Sequence, residues 1–235
     1  MAEPAAGVGL VFVSHSSLIA SGLVALARQM APATTLVAAG GMDDDGIGTS
    51  FDKIAAALIA ADSGAGVVVI CDLGSAILTA ETAVDFLEDD ARARVRIADA
   101  PLVEGGVAAA VAAEIGGDLD AVLAAAESAG AATSSGAAAS SAEAAERGGR
   151  GAVSRTVTLR NRDGLHARPA ADFVKLASTF DAKVSVNGKD AHSLLGIMSL
   201  GLTRGMSVEI SGPDERSRAA VDALARLIET GFGEE

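Results

Sequence analysis

The 235-residue chain is long enough for one large domain or two modest ones, and half of its residues are hydrophobic although Trp and Tyr are absent. Its net charge of −13 and its few aromatic rings argue against binding to nucleic acid or to an anionic membrane surface. Residues 1–127 carry 18 acidic and 5 basic side chains, whereas acids and bases balance in the remainder. We therefore expect two domains of different electrostatic character.

The single cysteine limits the disulfide and metal chemistry that we expect, and the N-terminal residues bear on the cellular location. Cys71 lies in the apolar run 67–71, so we expect a buried thiol, with neither a disulfide nor a thiolate metal site. Glu3 comes before the first apolar run and no basic residue does, which is unlike a secretion signal. No apolar stretch reaches membrane-spanning length. These features predict a cytoplasmic protein, and no residue pattern indicates a metal or a cofactor.

Residues 7–127 alternate short apolar runs with amphipathic segments. Such alternation is typical of a parallel sheet with right-handed crossovers, so we expect a doubly wound α/β domain with strand order 2-1-3-4. Strands are predicted at 9–13, 34–38, 66–71 and 95–98. Helices are predicted to begin at Ser16 or Ser17 and at Thr49 or Ser50, and to span 75–88, 106–115 and 119–128.

The composition changes over residues 128–152. Ten of these 25 residues are Ala, five are Gly and five are Ser, with hardly an apolar side chain larger than Ala. We predict a linker here, which as a flexible coil would span roughly 28 Å on average.

Residues 153–235 predict a second, different domain. Asn187-Gly188 is a strong signal for a type I′ turn and hence for a β-hairpin. The predicted order βαββαβα suggests an α+β open-faced sandwich, in which helices cover one face of an antiparallel sheet. Strands are predicted at 153–160, 183–186, 189–192 and 207–211, and helices at 166–180, 193–201 and 213–228.

The segment Gly164-Leu165-His166-Ala167-Arg168-Pro169-Ala170 carries the sharpest functional signal. His166 stands where a helix begins, and the unpaired N–H groups and positive dipole there favour an anion such as phosphate. Pro169 suits the first turn, and Arg168 brings a guanidinium fork two residues from the imidazole. A neutral imidazole nitrogen can accept a phosphoryl group near neutral pH. A histidine that merely caps a helix is the alternative interpretation.

Together with Phe173-Val174, Gly188-Lys189 and the run 193–201 (Ser-Leu-Leu-Gly-Ile-Met-Ser-Leu-Gly), this segment resembles HPr, the histidine phosphocarrier of the bacterial phosphotransferase system. The resemblance implies that His166 accepts the phosphoryl group at Nδ1 and that Arg168 steadies it. It also implies an apolar docking patch beside His166, formed by Leu194, Leu195 and Met198. Ser193 matches a serine that some family members use for regulatory phosphorylation. His192 is expected at the surface.

A second histidine, His15, directly follows the first predicted strand, and Asp72 directly follows the third. In a sheet of order 2-1-3-4, strands 1 and 3 are neighbours at the switch point, where ligands bind beyond the carboxyl ends. A carboxylate that accepts from one imidazole nitrogen fixes the tautomer and leaves the other nitrogen as a nucleophile. The small and hydroxyl-bearing residues of 46–50 are expected beside the same crevice.

Residues 7–127 resemble the mannose-type enzyme IIA proteins and, more closely, the DhaM family, the phosphotransferase subunits of phosphoenolpyruvate-dependent dihydroxyacetone kinases. The resemblance implies that His15 is phosphorylated at Nε2 and oriented by Asp72, with Thr49 and Ser75 in supporting positions. It also implies a homodimer, and fusions of this domain to HPr occur in the family. The matching stretches are Val13–Ser17, 47–49, Asp72–Ala76, 80–83 and 100–105.

The two resemblances together imply a phosphoryl relay. Its expected path runs from enzyme I to His166, then to His15, then to the ADP of a DhaL-type subunit, and finally to dihydroxyacetone held by a DhaK-type subunit. Some DhaM proteins continue into a domain resembling enzyme I, and this sequence stops after the HPr-like helix, so a separate enzyme I is expected to charge it. One alternative is a sugar-transport enzyme IIA–HPr fusion that donates to a IIB protein. Another is a non-catalytic regulator whose phosphorylation state controls partner binding.

Overall fold

The computed structural model describes residues 7–44, 46–134, 152–162 and 164–233. The chain divides into two compact units, Met1–Thr133 and Ser134–Glu235. Most of the predicted linker, residues 135–151, lies outside the described residues. Within these ranges, no helix is both long enough and apolar enough to cross a membrane.

The first unit alternates strands and helices along the chain. Its elements are β1 Gly9–Ser14, α1 Ser17–Arg28, β2 Leu36–Gly40, α2 Phe51–Ala61, β3 Val67–Cys71, α3 Gly74–Asp85, α4 Asp89–Arg92, β4 Val95–Ala98, α5 Leu102–Glu114 and α6 Leu119–Ser134. The four strands are parallel in the order β2-β1-β3-β4, which confirms the predicted doubly wound topology.

Both faces of the central strands are covered, so every residue of β1 and β3 is buried and apolar residues fill consecutive positions rather than alternate ones. Val11 and Val13 pack into a cluster with residues of α2 and α3. Phe12 points to the opposite face, where its ring lies so close to α5 that a Cβ added at Gly106 would be 3.1 Å from it. Cys71 is buried, as predicted, and burial, with Asp72 and Glu81 adding to it, raises the pKa of its thiol to about 12.

Three helices of the first unit differ from their predicted bounds. The helix predicted over 75–88 ends at Asp85, and the short helix α4 that follows it was not predicted. The helix α5 begins at Leu102, directly after Pro101, instead of at 106. The helix α6 continues to Ser134, so residues 128–134 of the predicted linker are helical. Val122, Ala126 and Ala129 form a buried stripe at helical spacing, and alanine suits both such a stripe and a helix.

The apolar face of α1 is only partly buried. Leu23 is buried against the sheet, whereas Leu18, Ile19 and Leu26 are exposed. The small side chains of Ala20 and Ala27 complete the buried face instead, since α1 packs closely on β1, β2 and α5.

The second unit contains β5 Val153–Thr158, α7 Ala167–Ala177, β6 Ser185–Val186, β7 Lys189–Asp190, α8 Leu194–Met198, β8 Ser207–Gly212 and α9 Arg218–Glu229. Its strands are antiparallel in the order β5-β8-β6-β7. Buried and exposed residues alternate along β8, and α9 packs on β5 and β8, so the helices cover one face of the sheet. Asn187 and Gly188 have φ values of 45° and 80°, as a type I′ turn requires. The predicted α+β sandwich is confirmed.

Candidate functional site

The carboxyl ends of β1 and β3 bring His15 and Asp72 together. These strands are paired with Val13 opposite Cys71, so the residues that follow them meet at the same edge of the sheet. Nδ1 of His15 lies 2.9 Å from Oδ1 of Asp72. The two side chains are 20% and 16% exposed, which leaves the imidazole accessible while it is held. The structure therefore places His15 beside Asp72 at the carboxyl ends of β1 and β3, as the strand order predicted.

Four hydrogen bonds converge on the Asp72 carboxylate. Oδ1 accepts from Nδ1 of His15 and from the backbone N–H of Leu73 at 2.8 Å. Oδ2 accepts from the backbone N–H of His15 and from the hydroxyl of Ser14, both at 2.8 Å. Burial alone would raise the pKa of Asp72, but hydrogen bonds from His15 and Ser14 outweigh it and hold that pKa below its ordinary value.

The ionised carboxylate decides the tautomer of His15. A carboxylate can only accept, so Nδ1 carries the imidazole proton and Nε2 has a lone pair. Nε2 lies 2.6 Å from Oγ of Ser75, whose hydroxyl donates to it. Because Ser75 is in the first turn of α3, Nε2 faces the positive end of a helix dipole, which favours an incoming anion. The geometry thus leaves Nε2 as the imidazole nitrogen with a lone pair, beside the start of α3.

Thr49 supports the site from the loop after β2. Its hydroxyl contacts that of Thr79 at 2.9 Å, and Thr79 donates to the carbonyl of Ser75, which ties the loop to the first turns of α3. The neighbouring Gly48 donates its N–H to the carbonyl oxygen of His15 at 2.9 Å. Ser50, and not Thr49, caps α2, by accepting from the backbone N–H of Lys53.

Exposed apolar side chains occupy the segments that carry these residues. We define the apolar collar as Leu18, Ile47, Leu73 and Leu78, which are between 60% and 81% exposed. Leu18 follows His15 by three residues, Leu73 follows Asp72, and Leu78 lies one helical turn after Ser75. Large exposed apolar side chains are typical of surfaces that contact another protein.

In the second unit, His166 is the N-cap residue of α7. Its backbone is extended, with φ −76° and ψ −177°, its carbonyl accepts from the N–H of Ala170, and its side chain makes no capping hydrogen bond. His166 therefore occupies the N-cap position without a capping hydrogen bond from its imidazole. Pro169 is buried in the first turn and Arg168 is exposed beside it. The half-buried imidazole thus stands at the positive end of an 11-residue helix.

The predicted docking patch beside His166 needs one correction. Leu194 is 4% exposed and belongs to the core, while Leu195 and Met198 are half-buried at the surface. The reason is helical spacing, because Leu194 and Ile197 share the inward face of α8. Ser193 caps α8, and its hydroxyl accepts from the N–H of Gly196 at 3.0 Å. His192 is exposed, as predicted, and its Nδ1 lies 3.0 Å from a carboxylate oxygen of Asp190.

No metal centre is visible at either histidine. The described parts of the chain contain no group of three or more His, Cys, Asp or Glu side chains placed to hold a metal ion.

Known protein families match the two units separately. The family model EIIA-man, described as the PTS system fructose IIA component, matches residues 9–123. The family model PTS-HPr, described as the PTS HPr component phosphorylation site, matches residues 153–230.

Similar proteins relate the whole chain to one family. DhaM, the phosphoryl donor subunit of the PEP-dependent dihydroxyacetone kinase of Escherichia coli strain K12, is 35% identical over 245 residues, which cover 97% of this chain and 51% of that protein. The DhaM subunit of dihydroxyacetone kinase 2 of Listeria innocua is 36% identical over 117 residues, which cover 49% of this chain and 94% of that protein. The chain belongs to the DhaM family.

This DhaM-family chain spans about half the length of the E. coli relative. Its second unit also has a separate counterpart. The phosphocarrier protein HPr of Haloferax volcanii is 39% identical over 84 residues, which cover 33% of this chain and 94% of that protein.

Two residues of this DhaM-family chain contribute to the sites without having been predicted. Ser14 is fully buried and donates to Asp72. Asn161 is buried, and its Nδ2 donates to the carbonyl of Gly164 at 2.6 Å, which closes the loop before His166. A Cβ at Gly164 would lie 2.2 Å from the carbonyl oxygen of Leu202, and its φ is +69°, so only glycine fits there. A serine at the end of a strand and an asparagine in a loop give no sequence signal of their own, because burial is what makes them informative.

Proposed function

We propose that the chain relays a phosphoryl group from enzyme I of the phosphotransferase system to His166, then to His15, and then to the ADP of a DhaL-type subunit. A DhaK-type subunit holds the dihydroxyacetone that finally receives it. The observation that carries the proposal is the geometry at His15, where Asp72 holds the proton on Nδ1 and Nε2 faces the start of α3. Membership of the DhaM family supplies the substrate and the partners.

The central step is an exchange between two imidazoles. Nε2 of His15 attacks the phosphorus carried on Nδ1 of His166, so that one N–P bond forms as the other breaks. No proton has to move, because His15 keeps the Nδ1 hydrogen that Asp72 accepts. Donor and acceptor are similar nitrogens, so positioning and electrostatics dominate the rate.

Each transfer requires a partner to approach within bonding distance, and the surfaces around both histidines suit short-lived contacts. The apolar collar borders His15, and Leu195 and Met198 lie on α8, which packs against the helix that His166 begins. The phosphoryl donor and the phosphoryl acceptor then bind to the collar one after the other. A small apolar surface suits such transient complexes, whereas a large one is typical of permanent complexes.

The resemblance to DhaM proteins also supports a homodimer. Sedimentation equilibrium of the full chain tests this, with a mass of twice 23.2 kDa expected.

Reconstitution tests the proposed function. The full chain is mixed with phosphoenolpyruvate, enzyme I, ADP-loaded DhaL-type subunit and DhaK-type subunit, and dihydroxyacetone phosphate is measured. Product is expected with the wild-type chain and not with His15→Ala. A chain that labels at His15 but donates only to a IIB protein would instead support the sugar-transport function. A chain that labels and donates to neither acceptor would support a regulator.

A further inference from the structure

Ser14 occupies an unusual place for a hydroxyl group. It is the last residue of β1 and is 0% exposed. Its Oγ lies 2.8 Å from Oδ2 of Asp72 and 3.1 Å from the backbone nitrogen of Ser16. Ser14 therefore links the carboxylate of Asp72 to the start of α1, on the side of Asp72 away from the imidazole.

The direction of the Ser14 hydrogen bond follows from its partners. The N–H of Ser16 can only donate, so it uses a lone pair of Oγ. The hydroxyl hydrogen then points to Asp72, which as a carboxylate can only accept. Because the site is buried, no exposed surface gives water access to the Ser14 hydroxyl. The bond has one possible polarity and is charge-assisted.

The two oxygens of Asp72 have different roles. Oδ1 receives the imidazole proton of His15, whereas Oδ2 receives only the Ser14 hydroxyl and the backbone N–H of His15. Without the Ser14 hydroxyl, Oδ2 of Asp72 accepts from one donor instead of two. The N–H of Ser16 also loses the Oγ that accepts its hydrogen bond. The carboxylate is then held less firmly, so its Oδ1 is no longer fixed at hydrogen-bond distance from Nδ1 of His15.

We propose that Ser14 is a positioning residue that acts through Asp72 to keep His15 protonated at Nδ1, with Nε2 available for phosphoryl transfer. This inference rests on the proposed function at His15 and adds a third member, Ser14, to the His15–Asp72 pair. Ser14 does not touch the reacting atoms and acts on phosphoryl transfer through the tautomer of His15. Its loss therefore changes the tautomer ratio of His15 and the transfer rate together, while the sheet stays folded.

The test compares Ser14→Ala and Ser14→Thr in the full chain. Ser21→Ala is the matched control, because it removes an exposed hydroxyl that bonds only to α1 backbone carbonyls. The first readout is the tautomer of His15, from ¹⁵N chemical shifts of its imidazole, which requires no phosphoryl donor. The second is the rate at which His15 becomes labelled from phosphoenolpyruvate and enzyme I.

In Ser14→Ala, the ratio of the Nδ1–H to the Nε2–H form is expected to fall about tenfold, and the rate to fall by a similar factor, on the scale of one charge-assisted hydrogen bond. Ser14→Thr restores both and Ser21→Ala changes neither. A folded Ser14→Ala chain with the wild-type tautomer ratio overturns the inference.

The remaining outcomes are also decisive. If Ser14→Ala does not fold, Ser14→Cys replaces it, and an intermediate ratio is expected because a thiol is a weak donor. A wild-type ratio in Ser14→Cys overturns the inference. If the wild-type chain is never labelled at His15, the proposed function fails, while the tautomer ratio still decides the role of Ser14.

Discussion

The two histidine sites are constructed in different ways. His15 is held by side chains 57 and 60 residues away in sequence, Asp72 and Ser75, which only the parallel sheet brings together. His166 is presented by a loop that closes over three residues, from Asn161 to Gly164, and by the start of a single helix. The first site needs a folded domain before it exists, whereas the second is largely local. Substitutions at partner residues should therefore harm His15 far more than His166.

The largest effect is expected for Asp72→Asn. An amide can donate to Nδ1 and favour the wrong tautomer, so transfer to His15 should fall at least about a hundredfold, as for other carboxylates that orient a catalytic histidine. Labelling of His166 should stay at the wild-type rate. Asp85→Asn, at the exposed last residue of α3, is the matched control, and labelling is followed separately at each histidine. Equal losses at both histidines would contradict the separation of the two sites.

Asp72 should also make the stability of the first unit depend on pH. Its folded-state pKa is below the ordinary value, since the hydrogen bonds from His15 and Ser14 outweigh burial. The stabilisation is therefore complete above the unfolded pKa of about 3.9 and is lost as the pH falls through the lower folded pKa. The difference in Tm between wild type and Asp72→Asn should be largest near pH 7 and shrink below about pH 4. A difference that grows on acidification would show that the pKa shift has the opposite sign.

A smaller effect is expected at the local site. Arg168→Lys keeps the charge but loses the planar fork, so loading of His166 should slow by about three- to tenfold without unfolding. Arg216→Lys is a matched control at another exposed position of the second unit. Stopped reactions with enzyme I measure both rates. Unchanged loading in Arg168→Lys would show that guanidinium geometry does not matter.

The smallest effect on each separate reaction is expected when the two units are expressed apart, as residues 1–134 and 152–235. Each unit has its own core, so both should fold and His166 should load normally. Transfer to His15 should become dependent on concentration, because a tether of this length supplies an effective concentration on the order of millimolar. Titration of one unit against the other measures this. Transfer that does not change with concentration well below millimolar would contradict the role of the linker.

The same contrast explains what the sequence could predict. Alternating strands and helices predicted the sheet order, and that order predicted that His15 and Asp72 lie close together, as they do. The residues of 164–170 identified the start of α7 because their signals are local. The burial of Leu194 and of Ser14 depends on which face meets the core, and neither follows from spacing alone. The end of α6 was missed because an Ala-rich segment suits a linker and a packed helix equally well.

The most direct test of the central claim is to follow serial labelling in histidine variants of the full chain with phosphoenolpyruvate and enzyme I. His15→Ala should still be labelled at His166, and His166→Ala should remain unlabelled at His15 until free HPr is added. His192→Ala, which removes the third of the three histidines, should be labelled at both sites. Strong labelling of His15 in His166→Ala without any HPr would contradict the proposed order of transfer.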